Sequence, residues 1–313
     1  MFFKKYFNLI IPHMNKPLRI GTRDSALAMW QAHRLQKLLL DRNIESTLVP
    51  IKSLGDLNLE EPLYAMGTEG IFTKTRDQAL LAGKIDVAIH SMKDVPTSLP
   101  IGLKKAAVLE RGVSGDVVVW KNNESATRSK RVIATGSLRR QAQWQHQWPN
   151  DEQVSLRGNI HTRLQKLRDS DWDGAVFAAA ALERLSIENE CVAPLPQFIP
   201  APAQGALLVV AREEDIDLLQ RLSELNHTST DLCTQIERDF LRTLEGGCTA
   251  PIGAKAALIR QTLTFKGALY SLKGSSPVII EKTVDTDKAS GVVFAREVLE
   301  AGGKALLEEF KNQ

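Results

Sequence analysis

A lysine and an aspartate stand side by side at Lys93 and Asp94, directly after the apolar run Ile85–Ile89, His90, Ser91 and Met92 and just ahead of Pro96. Alternation and β-branching make the run a buried strand, and Pro96 forbids a clean continuation. The pair is therefore delivered at a strand's carboxyl end, the edge at which open α/β sheets bind ligands. A carboxylate fixed there can steady a developing cation or move a proton. Arg23, the pair Arg139 and Arg140, and the segment from Arg157 to Arg163 each follow a predicted strand and sit at or near a helix start. Helix amino ends carry positive partial charge, and arginine adds a fork that matches carboxylate or phosphate. One such arginine would read as a solvated surface charge. Repetition at equivalent junctions, where the macrodipole disfavours cations, points instead to a ligand with several negative groups.

Cys248 closes the segment Leu244-Glu245-Gly246-Gly247-Cys248, where a helix ends at glycines suited to a left-handed cap. A helix carboxyl end raises a thiol's pKa, so the position suits attachment to an electrophilic partner better than protease-like attack. A small filler in a turn is the plainer alternative. Between residues 128 and 168, Arg128, Arg131, Arg139, Arg140, Arg157, Arg163 and Arg168, with Lys130 and Lys166, meet only Asp151 and Glu152. That stretch needs an anionic partner or wide solvent spacing.

The elements that must position these residues follow from periodicity. Strands are expected at Leu18–Ile20, Thr47–Ile51 and Ile85–Ile89, with helices from Ala26 to about Asp41 and from about Phe72 to Ala82. The pattern then restarts, with strands at Val117–Trp120, Val132–Thr135, Val154–Leu156 and Ala175–Ala178 and helices opening at Ser137, Ile160 and about Leu182. Thr22 to Ser25 between strand and helix recurs as Thr135 to Ser137, which suggests two related α/β units sharing a ligand cleft. Ala206–Ala211 reads as a strand returning to the first sheet. Helices at about Asp215–Leu225 and Asp231–Leu244, strands near Ala254–Ile259, Thr262–Tyr270 and Val278–Val284, and a terminal helix from about Lys288 make an α+β remainder.

With 313 residues, two or three domains are expected. A net charge of +3 and 43% hydrophobic residues describe an ordinary globular chain with no global pull toward nucleic acid or membrane. Cys191, Cys233 and Cys248 have no disulfide or zinc spacing, which fits a reducing, cytoplasmic setting and no metal. Met1–Ile11 is basic and apolar but too short for a signal peptide, and no run reaches the ~20 apolar residues of a membrane span. Trp144, Trp148 and Trp172 fall at packing positions, and His90, His146 and His161 lack metal-ligand spacing. No phosphate-cradling glycine loop occurs at a strand-to-helix turn.

Taken together, His90 to Pro96, Ser137-Leu138-Arg139-Arg140-Gln141, Ser155-Leu156-Arg157-Gly158-Asn159 with Thr162-Arg163-Leu164, Gln204-Gly205-Ala206 and Leu244 to Gly253 resemble the porphobilinogen deaminase (hydroxymethylbilane synthase) family. The resemblance runs from about residue 17 to the end. It implies two periplasmic-binding-protein-like (type II) α/β domains flanking a cleft, plus a C-terminal α+β domain. The implied division is an extension over 1–16, a first domain over 17–112 and 203–226, a second over 113–202 and a third over 227–313. It also implies a transferase of tetrapyrrole (haem) biosynthesis that condenses four porphobilinogen molecules with release of ammonia. The primer is a dipyrromethane cofactor held by a thioether to Cys248.

By the same resemblance Asp94 is the catalytic group. Arg23, Ser25, Lys93, Thr135, Ser137, Arg139, Arg140, Arg157, Gly158, Arg163, Arg184 and Gln204 bind cofactor or substrate carboxylates. Porphobilinogen is the small-molecule partner, with no nucleic acid or membrane partner, and the chain is a monomer. Ala65 and Glu69 stand where family members often carry lysines, Gly136 where serine is common and Ala181 where glycine is common, which implies an active enzyme with an altered lid. A non-catalytic polycarboxylate-binding protein of the periplasmic type would use the same cleft and arginines without needing Asp94 or Cys248.

Overall fold

The computed structural model of the protein describes residues 16–52, 73–188, 190–244 and 251–311. Ala65, Glu69 and Cys248 lie outside the described residues.

Two five-stranded sheets share one topology. In the first, β1 (Leu18–Thr22) runs parallel to β2 (Ser46–Pro50) and β3 (Val87–Ser91), and the late strand β10 (Leu207–Arg212) inserts antiparallel between β3 and β4 (Leu103–Val108). In the second, β6 (Val132–Ala134) runs parallel to β7 (Glu152–Val154) and β8 (Gly174–Ala178), and β5 (Asp116–Trp120) inserts antiparallel between β8 and β9 (Cys191–Pro194). The strand β10 does return to the first sheet. These are the two binding-protein-like α/β units of type II. A third, antiparallel sheet of β11 (Ile252–Ile259), β12 (Thr262–Leu269) and β13 (Val278–Asp285) packs on helices and completes the α+β remainder.

Helices cover the sheets because their apolar stripes demand it. α1 (Ala26–Leu40) buries Ala32, Leu35 and Leu39, one stripe at helical spacing, against β1 and β3 in the first core. α2 (Lys74–Leu81) follows, then α3 (Asn123–Thr127), α4 (Leu138–Gln147), α5 (Ile160–Asp169) and α6 (Ala179–Arg184) around the second sheet. Asn159 caps α5 by accepting from the Thr162 N–H at 2.9 Å. Trp144 is fully buried in a cluster with Trp120, Trp148 and Phe198, and Trp172 packs against the cluster of Leu156, Leu164 and Phe177 on the other face of the sheet. α7 (Ile216–Ser223) returns to the first core, while α8 (Thr228–Thr243) and α9 (Gly291–Val298) cover the third sheet around Phe240, Phe265 and Phe294. Each fully buried side chain of that size contributes about 1.5–3 kcal/mol. α10 (Lys304–Lys311) begins only after Gly302, whose φ of 112° breaks the terminal helix expected from Lys288. Among the described residues no helix is long and apolar enough to cross a membrane.

The chain passes from the first sheet to the second over residues 109–115 and back over 195–206. The two crossings touch where the Gly112 N–H donates to the Gly205 carbonyl at 3.1 Å. Gly205 has φ 88°, and a Cβ there would fall 2.9 Å from the carbonyl oxygens of Gly112 and Val113, so only glycine fits. Glu237 of α8, wholly buried, ties these crossings to the third sheet. It pairs with Arg111 at 2.6 and 3.0 Å and accepts from the Ala203 and Ala256 N–H groups at 2.6 and 2.7 Å.

Candidate active site

β3 continues two residues beyond the expected Ile89, through His90 and Ser91, because Leu208 and Leu207 of β10 pair with them. Lys93 and Asp94 then ride on a single 3₁₀ turn, Met92–Asp94. Met92 and Val95 are buried and plug the turn into the cluster that α2 covers on the other face of the first sheet, leaving Lys93 half-buried and Asp94 exposed. Beneath the turn His90 is buried against Arg76, which donates to its Nδ1 at 2.9 Å. Burial and the Arg76 charge hold His90 well below its ordinary pKa, so the ring is neutral and Nδ1 is the acceptor. Gln31 of α1 braces the strand end by donating to the Ser91 Oγ at 2.7 Å.

Asp116, the first residue of β5, is the hub of the opposite side. Its buried carboxylate receives Arg139 at 2.7 Å, Arg140 at 2.7 and 3.1 Å and the Gln204 amide at 2.9 Å. Burial alone would raise its pKa, yet the Arg139 and Arg140 charges beside it hold it far below the carboxylate range. The Gln204 Oε1 in turn accepts from Lys93 Nζ at 3.1 Å, so one amide joins the two sheets' site residues. Burial brings Lys93 down to about 8, with Asp94 and Asp116 opposing the fall and Arg140 and Arg139 deepening it. Sequence reasoning missed Asp116. The available signal was a lone acid at the mouth of an otherwise apolar strand.

Arg157 and Arg163 line the same space from the loop after β7 and from α5. Arg163 donates to the Gly158 carbonyl at 2.7 Å. Its pKa falls to about 10, first through burial, then through Arg140, Arg157 and Arg23, with Asp94 pulling the other way. Asp94 and Arg23 from the first sheet thus share one electrostatic environment with Arg140, Arg157 and Arg163 from the second. Arg157 is lowered by burial, as is Arg184, which reaches across to donate to the Gly205 carbonyl at 2.6 Å. Ser25 and Ser137 stand at the starts of α1 and α4, and neither hydroxyl caps its own helix. The buried Thr135 Oγ1 accepts from the Ser137 N–H at 3.3 Å. Gly136 could not be serine without movement, since a Cβ there would lie 2.5 Å from the Leu156 carbonyl oxygen.

Of the basic stretch, expected to need an anionic partner or wide solvent spacing, Lys130 and Lys166 are exposed and several arginines are paired within the protein. Arg128 pairs with the buried Asp173, Arg131 with Asp151, and Arg168 with Glu190. The partners Asp116, Asp173 and Glu190 all lie outside the 128–168 window. Arg163 shares its surroundings with Arg157, Arg23 and Asp94, and Lys93 with Asp94.

The fold and this geometry define a class: a two-sheet, binding-protein-like α/β protein whose inter-sheet site concentrates buried cations around one exposed aspartate. Residues 18–220 match the model for porphobilinogen deaminase, dipyrromethane cofactor binding domain, and residues 231–311 match the porphobilinogen deaminase C-terminal domain. The porphobilinogen deaminase of Syntrophomonas wolfei is 39% identical over 303 residues, covering 94% of this chain and 99% of its own. That of Trichlorobacter lovleyi is 40% identical over 302 residues, covering 94% and 96%. Among solved structures, an ancestral cationic amino acid solute binding protein aligns with 67% of this chain and 87% of its own at 17% identity, with a TM-score of 0.43. The chain belongs to the porphobilinogen deaminase family.

Proposed function

We propose that this chain condenses four porphobilinogen molecules head to tail, with release of ammonia, and yields hydroxymethylbilane. The observation that carries the reading is the convergence of Asp94 with Arg23, Arg140, Arg157 and Arg163, in which like charges and burial together lower Arg163. Such an excess of cation fits a ligand whose every added ring brings further carboxylates. Each charge-assisted hydrogen bond made there is worth about 1.5–3 kcal/mol.

The same donor set fits the acetate and propionate groups of a dipyrromethane. When bound, that group supplies the terminal pyrrole onto which the product grows, and Cys248 is the residue that would carry it. Arg157, Arg163, Arg23 and Lys93 present charge directly to the carboxylates, assisted by Ser25, Ser137, Thr135, Arg184 and the backbone at Gly158 and Gln204. Arg139 and Arg140, held by Asp116 and by the Ile199 and Val176 carbonyls, add positive charge to the carboxylate site from beneath it. Asp94 is placed to steady the cation left as ammonia departs and to take up the proton each new ring sheds.

The catalytic unit divides as 17–112 with 203–226, 113–202, and 227–313, with 1–16 as an extension. It works as a monomer in the cytoplasm, with neither nucleic acid nor membrane as partner. The test is direct: the purified chain is given porphobilinogen, and ammonia and linear tetrapyrrole are followed, while intact mass locates an adduct on Cys248. Turnover with an adduct is expected. An unmodified thiol in fully folded chain, with tight polycarboxylate binding and no ammonia, would establish the binding-protein alternative instead.

A further inference from the structure

The turn that carries Asp94 has little backbone bonding of its own. Val95 donates to the Met92 carbonyl at 3.2 Å, Met92 donates to Ala206 at 3.0 Å, and Pro96 has no N–H to give. Its carbonyls are held from α8, far along the chain. There Arg238, buried at 8% exposure, sends one guanidinium nitrogen to the carbonyls of Met92 at 3.3 Å and Val95 at 2.9 Å, and the other to the carbonyl of Pro96. The fork thereby holds the carbonyls on both sides of Lys93 and Asp94. Lysine cannot reproduce this, since its donors radiate from one atom, whereas guanidinium spreads them in a rigid plane.

α8 itself is firmly anchored. The preceding residue, Glu237, is the buried carboxylate shared by Arg111, Ala203 and Ala256, so the base from which Arg238 reaches is fixed to both crossings and to β11. At 1.5 Å per residue, Arg238 lies about 9 Å along the helix from Leu244, its last described position before the segment that contains Cys248.

We propose that Arg238 is a positioning residue for Asp94: it locks the backbone of the Lys93-Asp94 turn from the third sheet's helix, so that the aspartate's aim is set by the same helix that leads into the cysteine segment. The inference rests on the catalytic role proposed for Asp94. It predicts a loss chiefly in kcat with at most a small rise in KM through Lys93, because the arginines that bind carboxylates are untouched while the reacting geometry is not. Displacements of this kind cost about tenfold to a hundredfold in rate.

Arg238→Gln, Arg238→Lys, Asp94→Asn and the double variant Asp94→Asn with Arg238→Gln are compared with the parent chain for kcat, KM, intact mass and thermal midpoint. The expected result is a kcat for Arg238→Gln down by about tenfold or more at a KM within about twofold, with the same adduct mass as the parent. Arg238→Lys should recover part of the lost rate, and the double variant should turn over within about twofold of Asp94→Asn alone. Parent-like kcat in Arg238→Gln overturns the proposal, and so does a double variant whose losses multiply. Should Arg238→Gln fail to fold, Arg238→Lys carries the test, with a reduced kcat at parental KM supporting it and parental kcat overturning it. Failure of both to fold overturns it as well, because the residue is then structural. Full turnover by Asp94→Asn would instead remove the catalytic reading, an outcome separate from any result with Arg238.

Discussion

The first and second sheets are built alike, but each keeps its carboxylate in a different place. The return strand of each begins opposite the last residue of the third parallel strand: Leu207 faces Ser91 in the first sheet, and Asp116 faces Ala178 in the second. The second sheet thus buries an acid at that corner and uses it to gather Arg139 and Arg140. The first has leucine there and carries its acid onward to the exposed turn at Asp94. One acid neutralises a pair of arginines inside the protein, and the other stands in the open among Arg163, Arg140 and Lys93. A basic residue's position at a helix start does not by itself say which of these it serves.

The largest test of this contrast is Asp94→Asn, which should lower turnover by about a hundredfold or more with the thermal midpoint unchanged, read by ammonia release and calorimetry. Asp116→Ala should do the reverse in kind. Stripping the anion from a buried pair of guanidinium groups is expected to cost about 3–5 kcal/mol in denaturant unfolding. Arg163→Gln separates the two sets of arginines further, with KM for porphobilinogen rising about tenfold or more and stability little changed. Should Arg163→Gln destabilise as strongly as Asp116→Ala, the distinction between internally paired and ligand-facing arginines would fail.

Titration gives a finer test. Lys93, at about 8, loses its charge as pH rises past that point, so KM should climb above pH 8. Lys93→Arg should remove that limb. Asp94, Asp116, Arg139 and Arg140 are the charged groups around it. For stability the sign is opposite: between about 8 and the ordinary 10.5 the unfolded chain holds a proton that the native lysine has released, so this group favours folding as pH rises through that window. For Asp116, whose native pKa is depressed, the contribution is complete above 3.8 and is lost as pH falls below it. The smallest effect is expected from Gly136→Ser, where the 2.5 Å approach to Leu156 must be relieved at about 1–3 kcal/mol, measured as a shift in denaturant midpoint.

Most of this architecture was legible because its central strands are buried apolar runs, as at Val87–Ile89 and Val117–Trp120. The two strands that periodicity missed, β4 and β9, occupy the same place, at the sheet edge beside each return strand. β4 carries Lys104 and Lys105 and β9 ends in Pro194, the residues by which edges are protected from further pairing, and they erase the strand signature. At the site, Asp94 and the arginine placements were readable from local order along the chain. Asp116, Glu237 and Arg238 were not, because their partners lie 19 to 146 residues away and nothing in the local pattern marks them.

Trp30 on α1 lies apart from the aromatic cluster of Trp120, Trp144 and Trp148 around Arg131, and it is partly open to solvent. The Arg184 guanidinium sits 5.3 Å from its ring centre, reaching from the second sheet's α6. Any swing of the two halves about the Gly112 and Gly205 crossings would slide that cation off the indole. The chain therefore contains its own optical gauge: with Trp120, Trp144, Trp148 and Trp172 replaced by phenylalanine, the emission of Trp30 would register any such displacement of Arg184.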